Sequence, residues 1–343
     1  MRILFDINHP AHAHFFKNAI ENLSRAGHTT LITASSKECT KEILECSRVE
    51  YELIDGTHDG RILNMGKVLI ARDFRLRSYV QQEKPDVLVA IGGTFVAHVG
   101  RMTQSRSVVF YDTAEAWLQN LITYPFVHRL VVPHFYDGWT PKARTKRYRG
   151  CHELSYLAPE YFRPSREKAI NAGLDPKMPT LLLRLVSWQA NHDVGRCGLS
   201  EEFVYSLVNA LKGRAKVLIS SETPLPRRLE KYRYTGPSSD IHHLMAFTSG
   251  MIGESATMAS ESAVLGVPAL LIGPSERCYT SWLEETYGLV CSAEQPVLQD
   301  VLAIADRWIK QGTEEFSKAR IRLLEDTVDV TSMIQDNILC FEQ

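Results

Sequence analysis

Gly253–Leu271 of this 343-residue chain reads GESATMASESAVLGVPALL. An apolar segment ending in Met251-Ile252 precedes it. The small residues predict a tight turn, then a helix from about Ala256 to Leu265. Gly266 stops that helix, and Val267–Ile272 is expected as the next buried strand. In a strand–turn–helix unit, the free N–H groups of the first helical turn and the positive dipole end both favour an anion. Thr257 and Glu261 are four residues apart and share one helix face. A carboxylate at that place suits the two hydroxyls of a ribose. The stretch points to a nucleotide-diphosphate ligand, of which a nucleotide-sugar is the expected form. A crossover helix with small residues for close packing is the alternative reading of the same residues.

Outward from this stretch, strand and helix signals alternate. Expected strands are Arg2–Ile7, Thr29–Ala34, Glu50–Ile54, Val87–Ile91, Ser107–Tyr111 and Leu130–Val132, with helices over Ala13–Ala26, Lys37–Cys46, Val68–Glu83 and Phe95–Met102. After a Pro-rich connector around Leu157–Pro164 a second series begins. Its expected strands are Thr180–Leu185, Ala215–Ser220 and Gly250–Gly253, and its helices are Glu201–Leu211, Ile241–Ala246, Tyr279–Tyr287 and Leu298–Lys310. Helices Glu314–Asp326 and Val330–Leu339 complete the chain. Such a series predicts two doubly wound, Rossmann-like domains, each with a parallel sheet between helices and ligands at the C-terminal strand ends. The expected boundaries are 1–160, 165–325 and a C-terminal helix, 326–343, that crosses back to the first domain. Its apolar set, Val330, Met333, Ile334, Ile338 and Leu339, gives it one face to bury.

The first strand runs into Asp6-Ile7-Asn8-His9-Pro10-Ala11-His12-Ala13-His14-Phe15-Phe16. Three histidines are thereby expected between a strand end and a helix start, and imidazole has the intrinsic pKa of a general base at neutral pH. His12 is the preferred base, with His9 and His14 beside it. His12 and His14 alternate, so on extended backbone they face one way, but no carboxylate-rich partner supports a metal site. Gly92-Gly93-Thr94 follows a strand directly, where Gly93 lets backbone approach a ligand and Thr94 is placed to cap the next helix. Asp112 and Glu115 follow another strand end, and either orient a sugar hydroxyl or serve as acid and base. Asp112 as a helix N-cap explains the same residue without chemistry. In the second series Arg184 closes one strand, with Ser187, Trp188 and His192 in the loop beyond, and Ser221 and Glu222 follow the next. Arg184 either neutralises diphosphate or pairs with an acidic neighbour. The histidines His242 and His243 sit near the small-residue turn.

Several segments carry a resemblance. Glu261, Ala263, Gly266, Val267, Pro268 and Ala269 look like the nucleotide-sugar signature of GT-B glycosyltransferases, shared with the peptidoglycan N-acetylglucosaminyltransferase and the UDP-N-acetylglucosamine 2-epimerases. FDINHPAHAHFF, VLVAIGGTFVAHVGR, VFYDTAEA, LRLVSWQANHD and GESATMASESAVLGVPAL occur in one order. Together they resemble the domain-of-unknown-function 354 family over nearly the whole chain. The resemblance implies a GT-B fold. With the strand-end positions above, the expected donor contacts are Gly93, Thr94, Arg184, Ser187, Trp188, His192, Ser221, Glu222, Gly253, Glu254, Ser255, Ala256, Thr257 and Glu261. The expected catalytic set is His12, His14, His9, Asp112 and Glu115.

The implied activity moves a sugar from a nucleotide-diphosphate donor, UDP by family analogy, to a glycan or lipid-linked acceptor in surface polysaccharide synthesis. A 2-epimerase-like enzyme and a non-catalytic nucleotide-sugar-binding protein are the alternatives. No metal and no cofactor are expected, since no DxD pair stands out.

Composition narrows the classes further. A hydrophobic fraction of 44% and a charged fraction of 23% are ordinary for a globular protein. The net charge of −1 implies no field for nucleic acid. Two basic runs, Lys142–Arg149 and Pro226–Arg233, read as solvated faces or as contacts with an anionic acceptor or membrane surface. Seven scattered cysteines with no CxxC pair read as reduced thiols, and MRILFDI enters a strand with no secretory segment. The expected location is the cytoplasm, with peripheral membrane contact possible at its inner face. No GxxxxGK[ST], GxGxxG or GxSxG motif supports an ATPase, a nicotinamide dehydrogenase or an α/β-hydrolase.

Overall fold

The computed structural model describes residues 1–34, 51–54, 65–114, 116–186, 199–273, 278–312 and 314–341. The chain divides into two compact units, Met1–Tyr156 with Thr327–Gln343, and Leu157–Asp326.

The first unit is built on a seven-stranded sheet in the order β3-β2-β1-β4-β5-β6-β7. The strands are β1 (Arg2–Ile7), β2 (Thr29–Ala34), β3 (Glu52–Leu53), β4 (Val87–Ile91), β5 (Arg106–Phe110), β6 (Arg129–Pro133) and β7 (Thr145–Tyr148). All the pairings are parallel, with Phe5 opposite both Ile32 and Val89. Parallel strands covered on both faces need nearly continuous apolar sequence, and Ile3-Leu4-Phe5, Val87–Ala90 and Val108–Phe110 supply it fully buried. The helix Pro10–Arg25 closes one face through Phe15 and Phe16, whose rings meet Phe110 at 5.4 and 5.8 Å. The last helix, Val330–Leu339, packs against this same helix. It buries Val330, Ile334 and Ile338, and Thr331 Oγ1 donates to the Ser155 carbonyl at 2.8 Å.

The second unit holds a five-stranded parallel sheet in the order β12-β11-β10-β8-β9. Its strands are β8 (Thr180–Leu185), β9 (Lys216–Ser221), β10 (Gly250–Gly253), β11 (Ala269–Ile272) and β12 (Val290–Ala293). The chain passes from β8 outward to β9, then returns to the other side of β8 to lay down β10. That reversal makes the C-terminal ends of β8 and β10 a topological switch point, where such sheets open a crevice. Gly253 ends β10 with no room to spare, since a Cβ there would lie 2.2 Å from the Arg184 carbonyl oxygen. Only glycine lets the two strands run side by side to their ends.

Three local expectations are corrected. The first helix begins at Pro10, not Ala13, because proline at its first position and a capping His9 extend it backward. His12 and His14 therefore belong to the helix rather than to a preceding loop, with His9 at its cap, and, two residues apart on a helix, they no longer face one way. Thr94 does not cap the helix Thr94–Met102; Gly93 is the cap position, and the Thr94 hydroxyl turns inward to Thr123 Oγ1 at 2.7 Å. Asp112 does not cap the next helix, Trp117–Thr123, which has Ala116 at its N-cap. The expected helix Lys37–Cys46 lies outside the described residues.

Candidate functional site

The helix Ala256–Val264 starts where β10 ends, at the switch point. Ser255 caps it, its hydroxyl accepting the Met258 N–H at 3.3 Å. Gly253 and Ala256 are buried and Thr257 is half-buried, so small groups surround the first helical turn. Its positive end faces the switch-point crevice. Glu261 lies five residues beyond Ala256, about 7.5 Å along the axis at ~1.5 Å per residue. It is buried, and its Oε1 is 2.9 Å from His242 Nε2 on the short helix Ile241–Met245.

Glu254 is buried, and its two carboxylate oxygens are used locally. Oε2 accepts the Val186 N–H at 3.0 Å, and Oε1 accepts the Leu199 N–H. This one side chain thereby ties the end of β8 to the residues just before the helix Glu201–Leu211. Arg184 points along the same edge. Its guanidinium donates to Ser220 Oγ at 2.9 Å and Glu222 Oε1 at 2.6 Å, so arginine and carboxylate expected at the ligand form an ion pair. Ser221 closes a local turn through the Thr223 carbonyl. His243 Nδ1 accepts the Ser165 N–H at 3.1 Å, and burial holds its pKa below the ordinary value.

In the first unit, Asp6 at the end of β1 is buried against Arg72, with N–O 3.1 Å, and accepts from Thr33 Oγ1 and Asn8 Nδ2 at 2.9 Å each. Asn8 also accepts from Arg72, whose guanidinium stacks 4.4 Å over the Phe95 ring. His9 is exposed and caps the helix, its Nδ1 accepting the Ala11 N–H at 3.2 Å. In a neutral ring the proton then sits on Nε2. The His12 ring lies 5.7 Å from that of His9, and His14 stacks on Tyr156 at 5.2 Å. Asp112 Oδ2 is 3.2 Å from His152 Nδ1, and the His152 ring packs 4.3 Å from Phe15. Burial pushes the His152 pKa down, with Asp112 opposing it in part. Gly93 sits where a Cβ would meet Val96 and Ala90 below 3 Å. The Gly92 carbonyl accepts from Gln119 Nε2 at 2.8 Å.

Of the sequence-predicted residues, His9, His12, His14, Gly93, Thr94 and Asp112 belong to the first unit. Arg184, Ser221, Glu222, Gly253, Glu254, Ser255, Ala256, Thr257 and Glu261 belong to the second. Glu115, Ser187, Trp188 and His192 lie outside the described residues. Among the described residues, no group of three or more His, Cys, Asp or Glu side chains is placed to hold a metal ion. Sequence reading missed Arg72 and His152 as partners of Asp6 and Asp112. The first partner is 66 residues away and nothing local announces it. His242, paired with Glu261, was visible only as a histidine near the turn.

The fold these two sheets make is GT-B. A UDP-GlcNAc 2-epimerase from Neisseria meningitidis, solved bound to UDP-GlcNAc, is similar with a TM-score of 0.70 at 12% identity, covering 99% of this chain and 100% of that one. A glycosyltransferase from Rickettsia africae is similar at 0.65 and 11% identity, covering 100% and 98%. MurG from Acinetobacter baumannii is similar at 0.63 and 12% identity, covering 99% and 100%. Comparison with curated proteins finds no match in sequence. The chain belongs to the family described as protein of unknown function DUF354, whose model matches residues 1–338.

Proposed function

We propose that this protein is a glycosyltransferase that takes a sugar from a nucleotide-diphosphate donor and passes it to a hydroxyl of a glycan or lipid-linked acceptor. The observation that carries the reading is the helix Ala256–Val264, opening at the switch point with Ser255 as its cap and a buried Glu261 on its flank. The N–H groups of Ala256 and Thr257 are offered to the diphosphate, and the helix dipole stabilises the charge that builds on the leaving group. Glu261 receives the ribose hydroxyls, and His242, bonded to its Oε1, holds the carboxylate in position. The reading needs no metal at the diphosphate. His12 takes the proton of the attacking acceptor hydroxyl. UDP is the expected nucleotide, supported by the similarity to a protein solved with UDP-GlcNAc. Surface polysaccharide synthesis at the inner face of the membrane is the setting this reading implies. Calorimetry with UDP, GDP, CMP and dTDP tests the donor: UDP binds, and silence from all four removes the reading.

A second reading, a UDP-N-acetylglucosamine 2-epimerase, is favoured by a specific observation. The TM-score with the Neisseria meningitidis epimerase, 0.70, exceeds those of 0.65 and 0.63 with the glycosyltransferase and MurG. Incubation of UDP-N-acetylglucosamine without acceptor separates the two: an epimer or free sugar marks the epimerase, an intact donor the transferase.

A further inference from the structure

The helix Trp117–Thr123 has its polarity reversed. Its buried residues are Asn120 and Thr123, while Trp117, Leu118, Leu121 and Ile122 are 65%, 61%, 58% and 42% exposed. A surface helix of a globular protein ordinarily does the opposite. The inward face is held by polar contacts, Asn120 Nδ2 to Tyr136 Oη at 3.2 Å and Thr123 Oγ1 to Thr94 Oγ1 at 2.7 Å, and the exposed Gln119 adds a bond from Nε2 to the Gly92 carbonyl. The outward residues stand at i, i+1, i+4 and i+5, so they form one stripe.

The stripe continues beyond the helix. His98 Nε2 lies 2.9 Å from the Ile122 carbonyl oxygen and its ring 5.0 Å from Phe126, which is itself 42% exposed. Trp139, 61% exposed, stacks on Tyr124 at 5.8 Å. Two tryptophans thus stand outward around a patch of leucine, isoleucine and phenylalanine. Cations border it. Arg101 Nε donates to the Phe126 carbonyl at 2.9 Å, and Arg144 donates to the Pro125 carbonyl at 2.7 Å. Lys142 lies exposed in the same short 3-10 turn as Arg144. Asp137, exposed beside Trp139, is outnumbered by these charges.

We propose that this face docks on the surface of an anionic lipid bilayer, with Trp117 and Trp139 at the headgroup level, Leu118 and Leu121 below them, and Arg101, Lys142 and Arg144 against lipid phosphates. Tryptophan prefers the membrane–water interface, and an apolar helical stripe beside basic residues is the pattern of helices that lie in that plane. No helix among the described residues is long and apolar enough to cross a membrane. The same cations argue against a second copy as occupant, because a self-complementary interface would gather both sets of positive charge along one seam. The inference is independent of the donor reading.

Sedimentation of the full chain with vesicles tests it. The protein is expected to pellet with phosphatidylglycerol–phosphatidylcholine vesicles and to remain in solution with pure phosphatidylcholine. Leu118→Glu, at an exposed position that leaves the fold intact, is expected to weaken binding by roughly tenfold or more. Lys142→Glu is expected to weaken it less. Raising the salt from about 0.1 M to about 1 M, which shortens the Debye length from ~10 to ~3 Å, is expected to weaken it too. Three results overturn the proposal: no pelleting with anionic vesicles, equal pelleting with both vesicle types, or pelleting that Leu118→Glu leaves unchanged. A concentration-dependent dimer in light scattering that Leu118→Glu dissociates also overturns it and assigns the patch to a second copy.

Discussion

His242 Nε2 lies 2.9 Å from Glu261 Oε1, with both side chains less than a tenth exposed. The pair joins the short helix Ile241–Met245 to the flank of Ala256–Val264. It fixes the direction of the carboxylate that the proposed donor site offers to ribose. Stability and binding are therefore separable here. Glu261→Gln keeps an oxygen for His242 and should unfold at nearly the wild-type denaturant midpoint. It exchanges a charged acceptor for a neutral one, so UDP affinity should fall by roughly tenfold, in keeping with the ~1.5–3 kcal/mol of hydrogen bonds to charged groups. His242→Ala should instead cost ~1–3 kcal/mol of stability by removing one hydrogen-bond partner of a buried carboxylate. Wild-type UDP affinity in Glu261→Gln would withdraw the ribose assignment.

Glu254 makes a different prediction. Its two oxygens receive the N–H groups of Val186 and Leu199. Glutamine offers one oxygen and turns an NH2 group toward the other N–H. Glu254→Gln should lose ~1–3 kcal/mol in equilibrium urea unfolding, with an unchanged m-value. A variant as stable as wild type would mean that the tie carries no net energy.

For the chemical step, His12→Ala should leave UDP affinity nearly intact and reduce turnover by roughly 10²–10⁴-fold. Single-turnover assays with a labelled donor read this directly. Full loss in His14→Ala with none in His12→Ala would move the base to His14, although stacking on Tyr156 then constrains how far that ring can turn.

Acid should destabilise the protein through His128. Its Nδ1 accepts the Ser107 N–H at 3.1 Å, which requires an unprotonated ring. Burial lowers its pKa from 6.5 to about 4, and Arg101, Arg106 and Arg144 add to the effect. The unfolded chain therefore binds a proton below pH 6.5 that the folded chain refuses until about pH 4. The stability this site provides is complete above pH 6.5 and falls as the pH drops through that window. Thermal melts of wild type and His128→Gln between these limits should converge toward the acid end. Parallel curves would contradict the assignment.

Metal removal supplies a fifth contrast. Because the proposed diphosphate site is built from helix N–H groups, UDP binding measured by calorimetry should be the same in EDTA and in magnesium. Affinity that disappears with EDTA would require a metal at the donor.

Much of the fold can be read from the sequence because parallel strands advertise themselves. Ile3-Leu4-Phe5, Val87–Ala90 and Leu181–Leu183 are apolar runs too short for helices and bounded by turns. The helix Trp117–Thr123 was not legible for a physical reason: with Asn120 and Thr123 inside, its pattern gives no core-facing stripe to detect. The edge strand Thr145–Tyr148 hid within a basic run, since an edge tolerates Lys146 and Arg147 in solvent. At the candidate site, the helix start near Ala256 and the place of Glu261 one turn beyond Thr257 followed from spacing, while the Ser255 cap did not. The pairings Asp6–Arg72, Asp112–His152 and His242–Glu261 did not, because side-chain partners far apart in sequence are chosen by packing and not by local pattern. Arg184 admitted two readings, and its bond to Glu222 matches the ion-pair alternative.

The return of Val330–Leu339 to the first unit has a consequence for the order of synthesis. Residues 157–326 form an uninterrupted stretch, while the first unit is made of the two ends of the chain. A ribosome thus delivers the whole of the second unit before the helix that buries Val330, Ile334 and Ile338 emerges. The nascent first unit must wait through that interval with the matching face of Pro10–Arg25 uncovered, so the familiar N-to-C order of domain completion is reversed. Cutting the chain apart inherits the same asymmetry. The second unit can be excised with two cuts, whereas the first needs a new joint between Tyr156 and Thr327. The Val328 N–H bond to the Arg149 carbonyl at 3.0 Å already brings the flanks of that joint together.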